Sequence, residues 1–432
     1  MPTISTASST AYPGQADGKN YTGALAMVTT LFFFWGFVTV LNDILVPHLK
    51  NIFDLSYAKV MLIQFAFFSA YFIFSIPAAR IIDAIGYKRT MVTGLVTMGV
   101  GAFLFVPAAT VPSYPLFLGA LMVLAAGITA LQVAANPYVA VLGKPETASS
   151  RLNLTQAFNS LGTTIGPYIG GLLILHTRSQ DLPTNAEMSA QVLQSYRVAE
   201  ASSVKLPYLI IGAALIIFAV IIGMFKLPAM PGAERHGSSG AKVSLWKYRH
   251  LVLGMLGIFV YVGAEVSIGS FLINYFTQAN IGNLSEVVAS KYVAYYWGGA
   301  MVGRFIGSAI LQKFRTGGVL GIAAIAAGLL VCTSMLTFGS IAMWSIIAVG
   351  FFNSIMFPSI FTLGIAELGP LTGDGSGMLV MAIVGGAILP VAQGALADHL
   401  GIHHAFFLPV LCYIYIAYYA FRGSRPVIPA AS

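Results

Sequence analysis

Apolar residues run along this chain in long blocks separated by short polar turns, and no strict period-2 alternation crosses them. A helix needs about 20 apolar residues to cross a hydrocarbon layer of roughly 30 Å. Cut at that length and at the charged breaks, the pattern predicts twelve spans, at 24–46, 57–79, 90–109, 115–142, 152–176, 206–226, 250–276, 291–312, 317–338, 342–366, 376–397 and 404–421. The expected fold class is an all-α membrane protein with these helices in two six-helix bundles. A spanning β-barrel is excluded by the missing alternation.

The longest break, "KLPAMPGAERHGSSGAKVSLWKYRH", falls between the sixth and seventh spans and has the Pro, Gly and Ser content of a linker. The organisation expected is a flexible tail at 1–21, a first bundle at 22–226, a linker at 227–249, a second bundle at 250–421 and a tail at 422–432. The opening residues lack the basic region of a signal peptide. The halves echo one another. The fourth span has "AANPY" and the tenth "FNSIMFPSI", while the fifth has "GTTIGPYIGGLL" and the eleventh "GGAILPVAQGAL". Repeats with interrupted helices at matching positions point to a transporter's midplane site.

Composition agrees: 57% of the 432 residues are hydrophobic and 8% are charged. The net charge of +8 does not signal nucleic acid, because the basic residues are scattered over short loops. With both termini cytoplasmic, 15 of the 22 Lys and Arg fall on cytoplasmic segments, six fall outside, and Arg304 stays within a span. This is the bias expected of a multi-pass cell-membrane protein. Cys332 and Cys412 lie in apolar runs and read as buried thiols. No metal-ligand spacing and no nucleophile–base set is visible, so neither a metal, a cofactor nor an enzyme is expected.

Polar side chains at mid-span are then the informative ones. Asn42 and Asp43 share the first span, Gln64 is in the second, and Gln132 and Asn136 are in the fourth. Gln156 and Asn159 belong to a stripe on the fifth, Glu265 and Asn274 are in the seventh, and Asn353 and Phe357 are in the tenth. Amides dominate, and each offers a donor and an acceptor, which suits sugar hydroxyls, with rings such as Phe357 against the apolar sugar faces. An anionic substrate would call for inward cations, and only Arg304 qualifies. The bland alternative is interhelical glue, worth about 0.6 kcal/mol per polar contact.

Between the second and third spans, "ARIIDAIGYKRT" resembles the G-x-x-x-D-x-x-G-R-R/K loop of the major facilitator superfamily, with Ala79 for the first glycine and Tyr87 for a basic residue. The resemblance implies gating roles for Asp83, Gly86, Lys88 and Arg89, and Arg304 is a further gating candidate. "FFFWGFVTVLNDILVP", "LQVAANPYVAVLG", "RLNLTQAFNSLGTTIGP", "GAEVSIGSFLINY" and "GFFNSIMFPSIFTLGI" are together similar to the fucose–galactose–glucose:proton symporter family. That similarity implies alternating access around a central sugar site in a monomer, with Asp43 as the first-span carboxylate and Gln156 and Asn159 as the fifth-span amides. Fucose-transporting members carry a glutamate where this chain has Gln132, which shifts the expectation toward glucose or galactose. A buried carboxylate is costly on insertion scales, about 2.5–3.5 kcal/mol, and one that moves between wet and dry surroundings can load and release a proton. Asp43 is the expected carrier and Glu265 its rival, which either titrates or pairs with Arg304. Sodium coupling, uncoupled transport and a transport-dead sugar sensor stand as alternatives.

Overall fold

The computed structural model describes residues 21–53, 57–111, 113–170, 202, 204–229 and 244–426, with side chains described outside 41–52, 57–61 and 167–170. Most of the expected N-terminal tail, residues 230–243 of the linker and 427–432 lie outside the described residues, as do the side chains of Asn42 and Asp43. Every regular element among the described residues is helical.

The first half comprises α1 (Thr22–Phe53), α2 (Tyr57–Thr110), α3 (Tyr114–Val141), α4 (Ala148–Gly170) and α5 (Lys205–Met224). α2 folds back on itself at Gly86, whose φ of 81° and ψ of 166° are not helical. Glycine alone adopts that conformation at little cost, so one residue turns α2 into the second and third spans. The second half comprises α6 (Arg249–Phe276), α7 (Glu286–Ile310), α8 (Thr316–Leu336), α9 (Gly339–Asn353), α10 (Met356–Gly364), α11 (Thr372–Met381), α12 (Gly385–Leu400), α13 (Ile402–Ala405) and α14 (Phe407–Tyr418). The pairs α9–α10, α11–α12 and α13–α14 each make one pass.

Nine stretches among the described residues are long and apolar enough to cross a membrane, and one of them, Leu62–Thr110, carries two passes. α4 and α7 complete the twelve. They fall outside the apolar set because α4 holds Asn153, Gln156 and Asn159, and α7 holds Glu286, Lys291 and Arg304. The two least apolar passes pack against each other across the halves.

Among the described residues, the expected matching interruptions are present in one half only. The tenth pass breaks between Asn353 and Met356 and the eleventh at Ala382–Val384, yet α3 runs unbroken through Pro137. Residues 131–140 of α3 are buried throughout, and its neighbours repair the proline's missing bond. Proline has no N–H to return to the carbonyl four residues earlier. That carbonyl, on Val133, accepts instead from Ser376 Oγ of α11 at 2.8 Å. Hydroxyl side chains commonly re-satisfy backbone groups freed this way in membrane helices.

Candidate functional site

α1 and α4 cross almost backbone to backbone. A Cβ on Gly36 would stand 2.1 Å from the Asn159 carbonyl oxygen, and one on Gly162 would stand 2.3 Å from that of Phe33. This approach brings the helix that carries Asn42 and Asp43 alongside the amide stripe of α4. Asn159 secures the crossing by donating Nδ2 to the Phe32 carbonyl at 2.9 Å. Gln156, one turn away, is 5% exposed and its amide has no hydrogen-bond partner among the described residues.

Between the halves lies a cavity of about 320 Å³, lined by Thr39 of α1, Gln64, Phe67 and Phe68 of α2, Leu121 of α3, Val266 and Ser270 of α6, and Trp297 of α7. None of its described lining residues is charged. Gln64 is exposed to it, as its expected role requires. Gln132 stands one layer behind: its Nε2 donates to the Tyr71 hydroxyl at 2.7 Å. Tyr71 in turn packs edge-on against Phe67, with ring centroids 5.7 Å apart. Gln132 therefore sets the aromatic wall rather than reaching into the cavity. Asn136, a turn further along α3, is fully buried with neither amide atom paired.

Residues of the second half are placed differently from their expected role. Asn353 is fully buried and held on both sides, donating Nδ2 to the Tyr296 hydroxyl at 2.9 Å and accepting from the Tyr413 hydroxyl at 2.8 Å. Its carbonyl also accepts from Tyr261 at 3.1 Å. It pins the bundle interior and has no reach into the cavity. Phe357 is packed, stacked on Phe361 at 5.9 Å. Asn274 is exposed near the end of α6, off the cavity lining. Glu265, next to the lining residue Val266, accepts one hydrogen bond, from the Tyr261 hydroxyl at 2.8 Å. It makes no ion pair with Arg304. The guanidinium turns to the first half, donating to Ser160 Oγ and, at 3.5 Å, to the Gln156 carbonyl.

Those contacts belong to a clasp that closes one end of the molecule, the end at which α3 gives way to α4. Ser149 Oγ and Thr362 Oγ1 are 2.6 Å apart, and Thr316 Oγ1 donates to Ser149 Oγ at 2.9 Å. Ser150 Oγ donates to the Ser308 carbonyl at 2.7 Å, and Asn153 Nδ2 to the Arg304 carbonyl at 2.7 Å. Arg304 Nε also reaches the Ser354 carbonyl at 3.4 Å, the acceptor that Pro358 leaves without its helical partner. Both prolines of the repeated motif thus free a carbonyl, and both carbonyls are taken up within the clasp. Sequence reasoning missed Ser149, Ser150, Ser308 and Thr362. Their only signal is small hydroxyls at apolar helix ends, which is common to many packed membrane helices.

The gating loop lies at the same end. Lys88 Nζ donates to the Gly223 carbonyl at 2.7 Å, putting a cation on the C-terminal turn of α5, where the helix dipole favours it. Asp83 Oδ1 stands 3.9 Å from where a Cβ on Gly373 would sit, beside the first turn of α11, the end that favours an anion. Ala79 replaces the family glycine and meets Gly377, where an added Cβ would stand 2.9 Å away. The two positions share one small-residue contact. Arg89 is exposed and its side chain makes no hydrogen bond among the described residues. Arg151 anchors the α3–α4 turn, donating to the Ala140 carbonyl at 2.7 Å and the Lys144 carbonyl at 2.8 Å. Burial lowers its guanidinium to about 10, which leaves it charged at neutral pH.

Comparison with known proteins accords with this architecture. A glucose/galactose transporter of Brucella abortus is 54% identical over 407 residues, covering 94% of this chain and 95% of that one. The L-fucose-proton symporter of Escherichia coli K12 is 37% identical and covers 93% of each chain. The crystal structure of the transporter FucP in the outward conformation superimposes with a TM-score of 0.87 at 35% identity, over 93% of this chain and 99% of that one. The sequence profile of the Major Facilitator Superfamily matches residues 25–383. With two helical bundles meeting at a central cavity and these relatives along nearly its whole length, the chain belongs to the Major Facilitator Superfamily.

Proposed function

We propose that the protein carries a neutral hexose of the glucose or galactose type into the cell together with a proton, by alternating access. The observation that carries the reading is the cavity between the halves: amide, hydroxyl and aromatic groups line it, and none of its described lining residues is charged. Such a lining hydrogen-bonds hydroxyls and covers apolar ring faces, while an ionic ligand would find no counter-charge among these described residues. The relatives named for glucose, galactose and fucose support the same substrate class. Asp43 is the proton carrier in this reading and Gln156 a direct sugar ligand. Neutralising Asp43 permits the clasp around Arg304 to open and the cavity to turn inward. Glu265 is the second reading for the carrier, favoured by its place next to the lining residue Val266.

Uptake of labelled galactose and glucose into sodium-free proteoliposomes tests the proposal. An imposed inward proton gradient should drive accumulation above equilibrium, and a protonophore should abolish it. Asp43→Asn should retain sugar exchange while losing accumulation. If Glu265→Gln shows that phenotype and Asp43→Asn accumulates normally, the carrier is Glu265. If wild-type uptake saturates but never exceeds equilibrium, the protein is an uncoupled carrier.

A further inference from the structure

A second cavity shares no lining residue with the central one. It is a groove of about 570 Å³ between the last turns of α7, the first turns of α8 and the end of α9, at the clasped end of the molecule. Its size lies within the range of small-molecule sites, roughly 300–1,000 Å³. The lining is apolar except for Ser354, whose hydroxyl is bonded to the Phe351 carbonyl, and Arg315. Ile306, Ile310, Phe314 and Ile322 line it and remain 39–66% exposed, as on a bilayer-facing surface. Arg315 lines it and is exposed, its guanidinium making no hydrogen bond or ion pair among the described residues, and Lys313 is two positions away.

A glycine keeps the groove open. Gly318 lines it, and a Cβ there would meet nothing within 4 Å. No packing contact on that side requires so small a residue. On the other wall, the groove is backed by the clasp itself. Gly307 packs on Ile355 and approaches Asn153, and the Ser354 carbonyl accepts from Arg304.

We propose that this groove holds one anionic phospholipid from the leaflet at the Lys/Arg-rich end, with an acyl chain along α7 and α8 and its phosphate on Arg315. Apolar contact supplies the affinity, at about 0.8 kcal/mol per buried methylene, and the cation supplies headgroup preference. Basic pockets between membrane helices select anionic headgroups in this way. Because the chain would rest against the back of the clasp, its occupancy favours the state closed at this end.

Native mass spectrometry of the detergent-solubilised protein, supplied with phosphatidylglycerol and phosphatidylcholine at equal concentration, tests the proposal. Wild type should retain one phosphatidylglycerol. Arg315→Gln should keep a bound lipid but lose about fivefold in headgroup preference, the weight of one cation near a charged surface. Gly318→Phe, whose Cβ has nothing within 4 Å, puts a ring into the groove and should remove the lipid while sugar binding stays at the wild-type level. The proposal is overturned if Gly318→Phe retains the lipid at wild-type occupancy, if wild type shows no headgroup preference, or if filling the groove instead dissociates a dimer. A Gly318→Ala variant, which shortens the groove by one methyl and should keep the lipid, separates loss of the site from loss of the fold.

Discussion

The amides Gln64 and Gln156 of the first half and the network around Asn353 in the second are put to different uses. In the first half Gln132, Asn153 and Asn159 are hydrogen-bonded, while the side chains of Gln64 and Gln156 make no hydrogen bond among the described residues and Asn136 is buried with both amide atoms unpaired. In the second half Gln393 is likewise buried with both amide atoms unpaired, but the groups around Asn353 are saturated. Asn353, Tyr261, Tyr296, Tyr413 and Glu265 form one connected network in the bundle interior. A satisfied buried network makes a bundle rigid, whereas an unmatched buried amide costs free energy until something binds it. In the proposed function Gln64 and Gln156 stand on the ligand-binding side, and the network around Asn353 is part of the frame against which it closes.

The largest effect should come from breaking the frame. Asn353→Leu strands the hydroxyls of Tyr296 and Tyr413, at about 1–3 kcal/mol each. Thermal unfolding in detergent should show a clear fall in Tm, while the folded fraction binds sugar within about twofold of wild type. A large loss of affinity without loss of stability would move Asn353 into the binding site.

The clasp comes next. Pro137→Ala returns an N–H to the Val133 carbonyl and sets it in competition with Ser376, a change of about one hydrogen bond, 0.5–1.5 kcal/mol. In a background without Cys332 and Cys412, cysteines at 149 and 362 should crosslink readily in the clasped state, and several-fold more slowly once Pro137 is replaced. An unchanged rate would mean the freed carbonyl contributes nothing to closure.

On the binding side, Gln156→Ala should weaken sugar binding by up to about tenfold, the weight of one hydrogen bond. Its Tm should stay at the wild-type value, the reverse of the Asn353 result. Smallest is the coupling between Gln132 and Tyr71. A double-mutant cycle of Gln132→Ala and Tyr71→Phe, read as sugar affinity, should give a coupling of about 0.5–1 kcal/mol. Additivity would show that Gln132 acts on the sugar directly and not through the aromatic wall.

The spans and the turn at Gly86 were legible because a bilayer imposes one length and one backbone solution on each pass. The amide stripe of α4 was legible because three- and four-residue spacing fixes a helix face. What spacing does not carry is the partner across a helix pair. Asn353 and Gln132 look alike as buried amides, and only the hydroxyls of Tyr296, Tyr413 and Tyr71 assign them different work. The repeated asparagine–proline motif was visible and was read as a pair of helix breaks. Its effect in α3 is instead to free a carbonyl, because Ser376 approaches from the other half of the chain.

The most direct test of coupled sugar transport is the current evoked by a sugar jump on proteoliposomes adsorbed to a solid support, in sodium-free buffer. The account predicts a sustained, pH-dependent current for glucose or galactose that disappears in Asp43→Asn. Saturable uptake of labelled sugar with no current at any pH would contradict it.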